Sequence, residues 1–167
     1  HTFPFQRQRQ GVDLIGLNSA ITTAPFMATG LFDANQERAT IPLLRHGKEA
    51  GRFRIVMIHH PPFANATAHH KRLLGDDRFR SMIAEHGAEL VLHGHTHVHS
   101  YELIEGPGAP VPVIGVPSAS KAPARTTRSS KANTGHHPPA RYNLFDISGA
   151  AGKWSCSFRE FGFPAHV

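Results

Sequence analysis

The sequence predicts an α/β fold, mixed sheets with helices outside, and three observations predict it. Short apolar segments suited to buried strands alternate with helical segments from Val12 to Leu92, which argues for a parallel or mixed sheet. Beyond Leu92 a Gly/Pro-rich turn separates two further strand segments, so the second half reads as antiparallel. The length, 167 residues, fits one domain with a real core, since a folded chain of that size buries roughly 70% of its unfolded surface.

Val12-Asp13-Leu14-Ile15-Gly16-Leu17-Asn18 is short, apolar and bounded by polar residues, as a buried strand is. Asp33 followed by Gln36 reads as an N-cap with its capping-box partner and starts a helix from Ala34 to Lys48. Pro42 falls inside that helix and is expected to kink or shorten it, because it lacks the N–H of the helical bond. Gly51 follows as a stop. Phe53 to Ile58 is the next strand, ended by His59-His60-Pro61-Pro62, since proline cannot continue a central ladder. Residues 63 to 75 read as a loop that carries His69, His70, Lys71 and Arg72. Asp76 is the expected cap of a second helix with Phe79, Met82 and Ile83 on one face, and Gly87 suits its left-handed terminus.

Glu89 to Leu92 is again a strand. Val98 to Ile104 and Val111 to Val116 flank a turn, Glu105-Gly106-Pro107-Gly108-Ala109-Pro110, as a hairpin. Residues 118 to 139 are rich in Ser, Ala, Thr, Pro and Lys/Arg and read as a long surface loop. Tyr142 to Ile147 and Lys153 to Phe161 close the chain as strands. There is no internal repeat and no domain boundary.

Composition removes several function classes. The longest apolar run, Ile55-Val56-Met57-Ile58, is far shorter than the ~20 residues of a membrane span. The start, His1 to Gln10, is polar and basic rather than a secretory leader, and it lacks a methionine. The chain is therefore expected to begin inside a longer reading frame or to have been trimmed. A lone cysteine, Cys156, excludes an internal disulfide framework and a Cys-rich zinc site, and points to a reducing, cytoplasmic location. The net charge is +6 with His neutral, yet the Lys and Arg are scattered. No aromatic-plus-basic motif accompanies them, so nucleic acid is not the favoured partner.

Histidine is the outlier: 14 residues, and they cluster as His59/His60, His69/His70, His93/His95/His97/His99 and His136/His137. In open α/β sheets, ligands bind beyond the carboxyl ends of the strands. His59 lies just after one strand, and His93, His95 and His97 just after the next. Neighbouring strands would bring them into one crevice. Neutral imidazole ligates zinc, iron and similar ions. Gly94 would let the chain turn sharply, and the i, i+2 spacing of His95 and His97 would point both rings to one side of an extended backbone.

Met57-Ile58-His59-His60-Pro61-Pro62 and Leu90-Val91-Leu92-His93-Gly94-His95-Thr96-His97 resemble the last two metal motifs of calcineurin-like metallophosphoesterases. Gly94 to His97 carries the family's G-H-x-H signature. Looser likeness covers Phe3 to Ser19, Gly115 to Ser120 and Tyr142 to Leu144. The resemblance implies the carboxy-terminal half of a four-layer sandwich, with residues 1–167 as a partial domain. It implies that His59 and His95 bind the second of two divalent ions (manganese, iron or zinc) and that His97 binds the first. His60, His93 and Gly94 then lie behind the ligands. The family's earlier motifs, D-x-H, G-D-x-x-[DN] and G-N-H-[DE], do not occur in the chain. The implied function is hydrolysis of small-molecule phosphomonoesters or phosphodiesters by a longer protein. The chain alone is expected to be inactive. The competing expectation is a truncated, non-catalytic remnant that binds one ion or none. Neither the substrate nor the oligomeric state follows from the sequence.

Overall fold

The computed structural model describes residues 2–63, 66–120 and 140–162. Most of the expected loop over 118–139 lies outside the described residues, and with it Lys121, Arg125, Arg128, Lys131, His136 and His137.

A six-stranded mixed sheet forms the centre. Strand β1 (Phe5–Arg9) turns through Gln10 and Gly11 into β2 (Val12–Gly16). Both turn residues have positive φ, 48° and 81°, as a two-residue hairpin loop of matching twist requires. The polar sequence of β1 concealed it, because an edge strand with exposed positions needs no apolar run. Strands β3 (Gly30–Leu31) and β5 (Leu73–Leu74) form a small parallel pair beside the sheet. Strands β4 (Phe53–Ile58), β6 (Leu90–His93), β7 (Ser100–Ile104) and β8 (Val111–Gly115) complete the sheet in the order β1-β2-β4-β6-β8-β7. The inner four run parallel and the two edges antiparallel. The second half is thus not wholly antiparallel: β8 returns beside β6 in parallel, burying Val113 and Ile114 on opposite faces.

Two helices cover one face. Helix α1 (Ala34–Glu49) is capped by Asp33, whose carboxylate accepts from the Gln36 N–H at 2.8 Å. Pro42 neither ends nor shortens it; the helix continues to Glu49, with Thr40, Leu44 and Gly47 buried. Packing outweighs the one lost backbone bond. Helix α2 (Asp76–His86) begins after Gly75, not with Asp76 as the cap. Gly75 adopts φ 79°, and a Cβ there would lie 2.3 Å from the Phe32 carbonyl oxygen, so no capping side chain fits. Asp76 and Asp77 instead occupy the first turn, where the helix dipole favours negative charge. Gly87 ends α2 with φ 73° but an extended ψ of 163°, so it is not left-handed helical. The expected loop over 63–75 contains a short 3-10 turn, His69–Lys71, as well as β5.

Residues alternate strictly across the sheet. Val56, Ile58, Val91 and Val113 join Leu44, Phe79, Met82 and Ile83 beneath the helices. Phe53, Ile55, Leu90 and Ile114 face the opposite side. There they meet Phe145, Ile147, Trp154 and Phe158 from the hairpin of β9 (Arg141–Ala150) and β10 (Lys153–Gly162). The result is helices, sheet and hairpin in three packed layers.

Arg54 ties these parts together. Its side chain is buried and donates to Glu89 through Nε (2.9 Å) and Nη2 (2.7 Å). Its Nη1 donates to the Leu44 carbonyl of α1 (3.2 Å) and the His86 carbonyl of α2 (2.9 Å). One guanidinium therefore fixes both helices to the amino end of β4. Removing one partner of a buried pair strands the other and its carbonyls. We expect Arg54→Ala to lower unfolding free energy by about 3–5 kcal/mol in urea titration. A loss below about 1 kcal/mol, the surface-pair range, would show that the network is not structural.

Candidate metal centre

The parallel register of β4 and β6 aligns Ile58 with His93. The chain after each strand therefore leaves the sheet at the same level. The Gly94 N–H donates to the His59 carbonyl at 3.0 Å and extends this pairing one step past the strands. A Cβ on Gly94 would make only ordinary contact with the His59 ring, and Gly94 is not among the positive-φ residues. The sharp turn expected at Gly94 falls instead on His95 (φ 67°) and His97 (φ 58°). Left-handed backbone is uncommon for residues with a Cβ and costs on the order of 1–3 kcal/mol. The segment is thus not extended, and the simple i, i+2 argument for two rings on one side does not apply.

The turn carries the His95 ring back toward His59. His95 Nδ1 and His59 Nε2 stand 3.2 Å apart. Two nitrogens each about 2.1 Å from one ion, at roughly 100°, are separated by about 3.2 Å. The donor pair therefore fits a shared ion. His95 Nε2 is buried without a hydrogen bond of ordinary geometry, although the Lys71 backbone lies near the ring.

The electrostatics agree with a ligand role. Burial lowers the His95 pKa to about 4, helped by His60, His59 and the Lys71 ammonium; the Lys71 backbone acts weakly in the opposite sense. Burial and then His97 lower the pKa of His59. Both rings are neutral at pH 7 and offer lone pairs. His97 is exposed and does not join the pair in a three-ligand cluster. Among the described residues, no group of three or more His, Cys, Asp or Glu side chains is gathered to hold a metal ion.

His60 and His93 are held differently. His60 is buried; its Nε2 donates to the Ala28 carbonyl (3.0 Å) and its Nδ1 accepts from Ser19 Oγ (2.8 Å). With both nitrogens engaged it offers no lone pair to a metal. Its ring packs against His95 with centroids 4.3 Å apart. His93 is buried, with Nδ1 toward the Gly94 carbonyl (3.0 Å), Nε2 toward Ser100 Oγ (3.3 Å) and its ring edge-on to Phe63. His99 stacks on Phe158 and faces Glu160 at 3.5 Å. His69 and His70 are exposed, and the His70 carbonyl accepts from the Ala28 N–H at 2.9 Å. Sequence reasoning assigned no role to Ser19, Ala28 or Gly30. Ser19 is 41 residues from His60, so no local spacing could mark it.

A comparison with protein-family models decides the relationship: the calcineurin-like phosphoesterase model matches residues 4–99, more than half of the chain. The chain belongs to the calcineurin-like phosphoesterase family. The match includes both histidine segments and all of β1 to β6. A search of curated proteins found no match. Family membership makes this a hydrolase lineage for phosphoric esters that uses divalent metals, with small-molecule phosphate esters as the substrate class. No helix among the described residues is long and apolar enough to cross a membrane.

Two outcomes follow. A histidine with pKa near 6.5 unfolded and about 4 folded binds its proton preferentially in the unfolded state between those values. Stability of the metal-free chain therefore falls as pH drops from 6.5 toward 4. His95→Asn, which tolerates left-handed φ, should flatten that slope in thermal melts recorded across the interval. An unchanged slope would place the titration elsewhere. His97→Gly should raise unfolding free energy by about 1 kcal/mol through relief of backbone strain. Destabilisation of similar size in denaturant titration would refute the strain.

Proposed function

We propose that this chain supplies one wall of the site of a hydrolase that cleaves phosphomonoesters or phosphodiesters with two divalent ions, manganese, iron or zinc. His59 and His95 would hold one ion and His97 the other. One observation carries the reading: two neutral imidazole nitrogens 3.2 Å apart at adjacent strand ends, one of them on a residue kept in left-handed backbone. Bound ions at such a site lower the pKa of water and offset charge on the phosphoryl oxygens.

The chain's own residues bind, orient and shield. His59 and His95 present ring nitrogens just beyond the carboxyl ends of the inner strands β4 and β6. Lys71 brings a positive charge close enough to act on His95, which suits an anionic ester. An apolar groove of about 370 Å³ borders His59, lined by Phe5, Leu17, Met57, Leu92 and Val116. Such low-dielectric walls strengthen the charge interactions beside them. The remaining ligands would come from the motifs that the chain does not contain.

A second reading has an observation of its own. Because no three-ligand group occurs among the described residues, a non-catalytic remnant that binds one ion or none also fits. The coding sequence upstream of His1 separates the two: D-x-H, G-D-x-x-[DN] and G-N-H-[DE] motifs there establish the hydrolase. In the protein that carries them, His95→Ala should reduce turnover of a chromogenic phosphodiester by roughly 100-fold or more, beyond the loss seen for outer residues. Near-normal turnover with metal bound would sink the ligand assignment. The 167-residue chain with manganese should show no hydrolysis above buffer. Robust turnover would mean that the three histidines suffice.

A further inference from the structure

The pair formed by His59 and His95 is only as good as whatever holds the His95 ring. His95 has spent backbone energy to reach its position, and apart from its partner His59 its ring lies against His60. His60 is in turn fixed from two sides. The Ala28 carbonyl accepts from its Nε2 at 3.0 Å, and Ser19 Oγ donates to its Nδ1 at 2.8 Å. The same hydroxyl receives the His60 backbone N–H at 3.4 Å. Ser19 is itself 2% exposed, so water does not compete for these bonds.

Ser19 is anchored as well. The neighbouring Asn18 is clamped by the Gln36 side chain, which accepts from the Asn18 N–H at 2.6 Å and donates to its carbonyl at 2.7 Å. The Ser19 carbonyl accepts from the Leu31 N–H at 3.0 Å. Gly30 leaves the space in which His60 sits: a Cβ there would lie 2.3 Å from His60 Nδ1. Gly30 has no positive φ, so its lack of a side chain answers to this contact and not to the backbone.

We infer that Ser19 is a positioning residue, which holds the His60 ring, already fixed as the Nε2–H tautomer by the Ala28 carbonyl, so that the ring sets the angle of His95 toward His59. The inference rests on the reading of His59 and His95 as ligands of one ion. Outer groups that orient a ligating imidazole typically change metal affinity 10- to 100-fold when removed. Here the orienting contact is a ring face, and the hydroxyl acts through it.

The test uses the intact chain with Ser19→Ala, Ser19→Thr and Gly30→Ala. Long-range ¹H–¹⁵N spectra of the histidine rings read the tautomer of His60 and the environment of His95 without metal. Cobalt(II) titration reads affinity separately. In the parent chain His60 is expected as the Nε2–H form, with one sharp set of His95 ring signals. Ser19→Ala should leave His60 as the Nε2–H form, which the Ala28 carbonyl still requires, but shift or broaden the His95 signals and weaken cobalt about tenfold. Ser19→Thr, which keeps the hydroxyl, should restore them. Gly30→Ala should displace both rings even if Ser19→Ala proves poorly folded. Unchanged His95 signals in folded Ser19→Ala or Gly30→Ala overturn the positioning role. If the parent chain takes up no cobalt, the shared-ion reading fails on its own, and the His95 signals still decide the role of Ser19.

Discussion

Parallel pairing of β4 with β6, in the register that sets Ile58 beside His93, is the constraint from which the site follows. A shift of one residue would turn every side chain of one strand to the other face. It would exchange Val91 for Leu92 beneath the helices and move His59 away from the loop after His93. The register is held at both ends. At the amino end Arg54 and Glu89 bridge the two strands, and the Arg54 N–H also donates to the Glu89 carboxylate at 2.6 Å. At the carboxyl end the Gly94 N–H meets the His59 carbonyl. Between them two buried layers, one under the helices and one under the hairpin, make any slip costly.

On this frame the histidines divide by how their nitrogens are occupied. His60 and His93 are buried and have both nitrogens engaged by the protein, which makes them parts of the wall. His59 and His95 face each other with no carboxylate between them. Charge on both rings at once is unfavourable at this distance, and burial also disfavours the charged form of each. With both rings neutral, the two facing nitrogens can share one proton or one cation. The left-handed turn at His95 belongs to the same pattern: the Gly94–His59 bond before it and the His60 ring beside it hold that residue in place.

Support for the pair runs back through the fold to the start of α1. Asp33 caps the helix and so places Gln36; Gln36 holds Asn18; Asn18 presents Ser19 to His60. The cap thus does more than satisfy a free N–H of the helix. It connects the helix layer to the strand end that bears the site.

The sequence by itself determined most of the segments, β2, α1, β4, α2 and β6 among them, and where the histidines fall relative to strand ends. Apolar runs such as Ile55 to Ile58, the Asp33–Gln36 cap and the His-Pro stop act over a few residues, so their signals are local and readable. It also carried the family, since the two histidine segments lie within the matched residues 4–99. What only the tertiary structure decided depends on contacts between distant residues. The Ser19–His60 bond spans 41 positions, and the space at Gly30 has meaning only once His60 occupies it. The edge strand β1, the parallel return of β8 and the survival of α1 through Pro42 are settled by pairing and packing, which outweigh local preference. The left-handed turn at His95, rather than at the adjacent glycine, is the same lesson at the site. The bond from the Gly94 N–H to the His59 carbonyl, one step past β4, fixes the backbone there, and the next residue makes the turn.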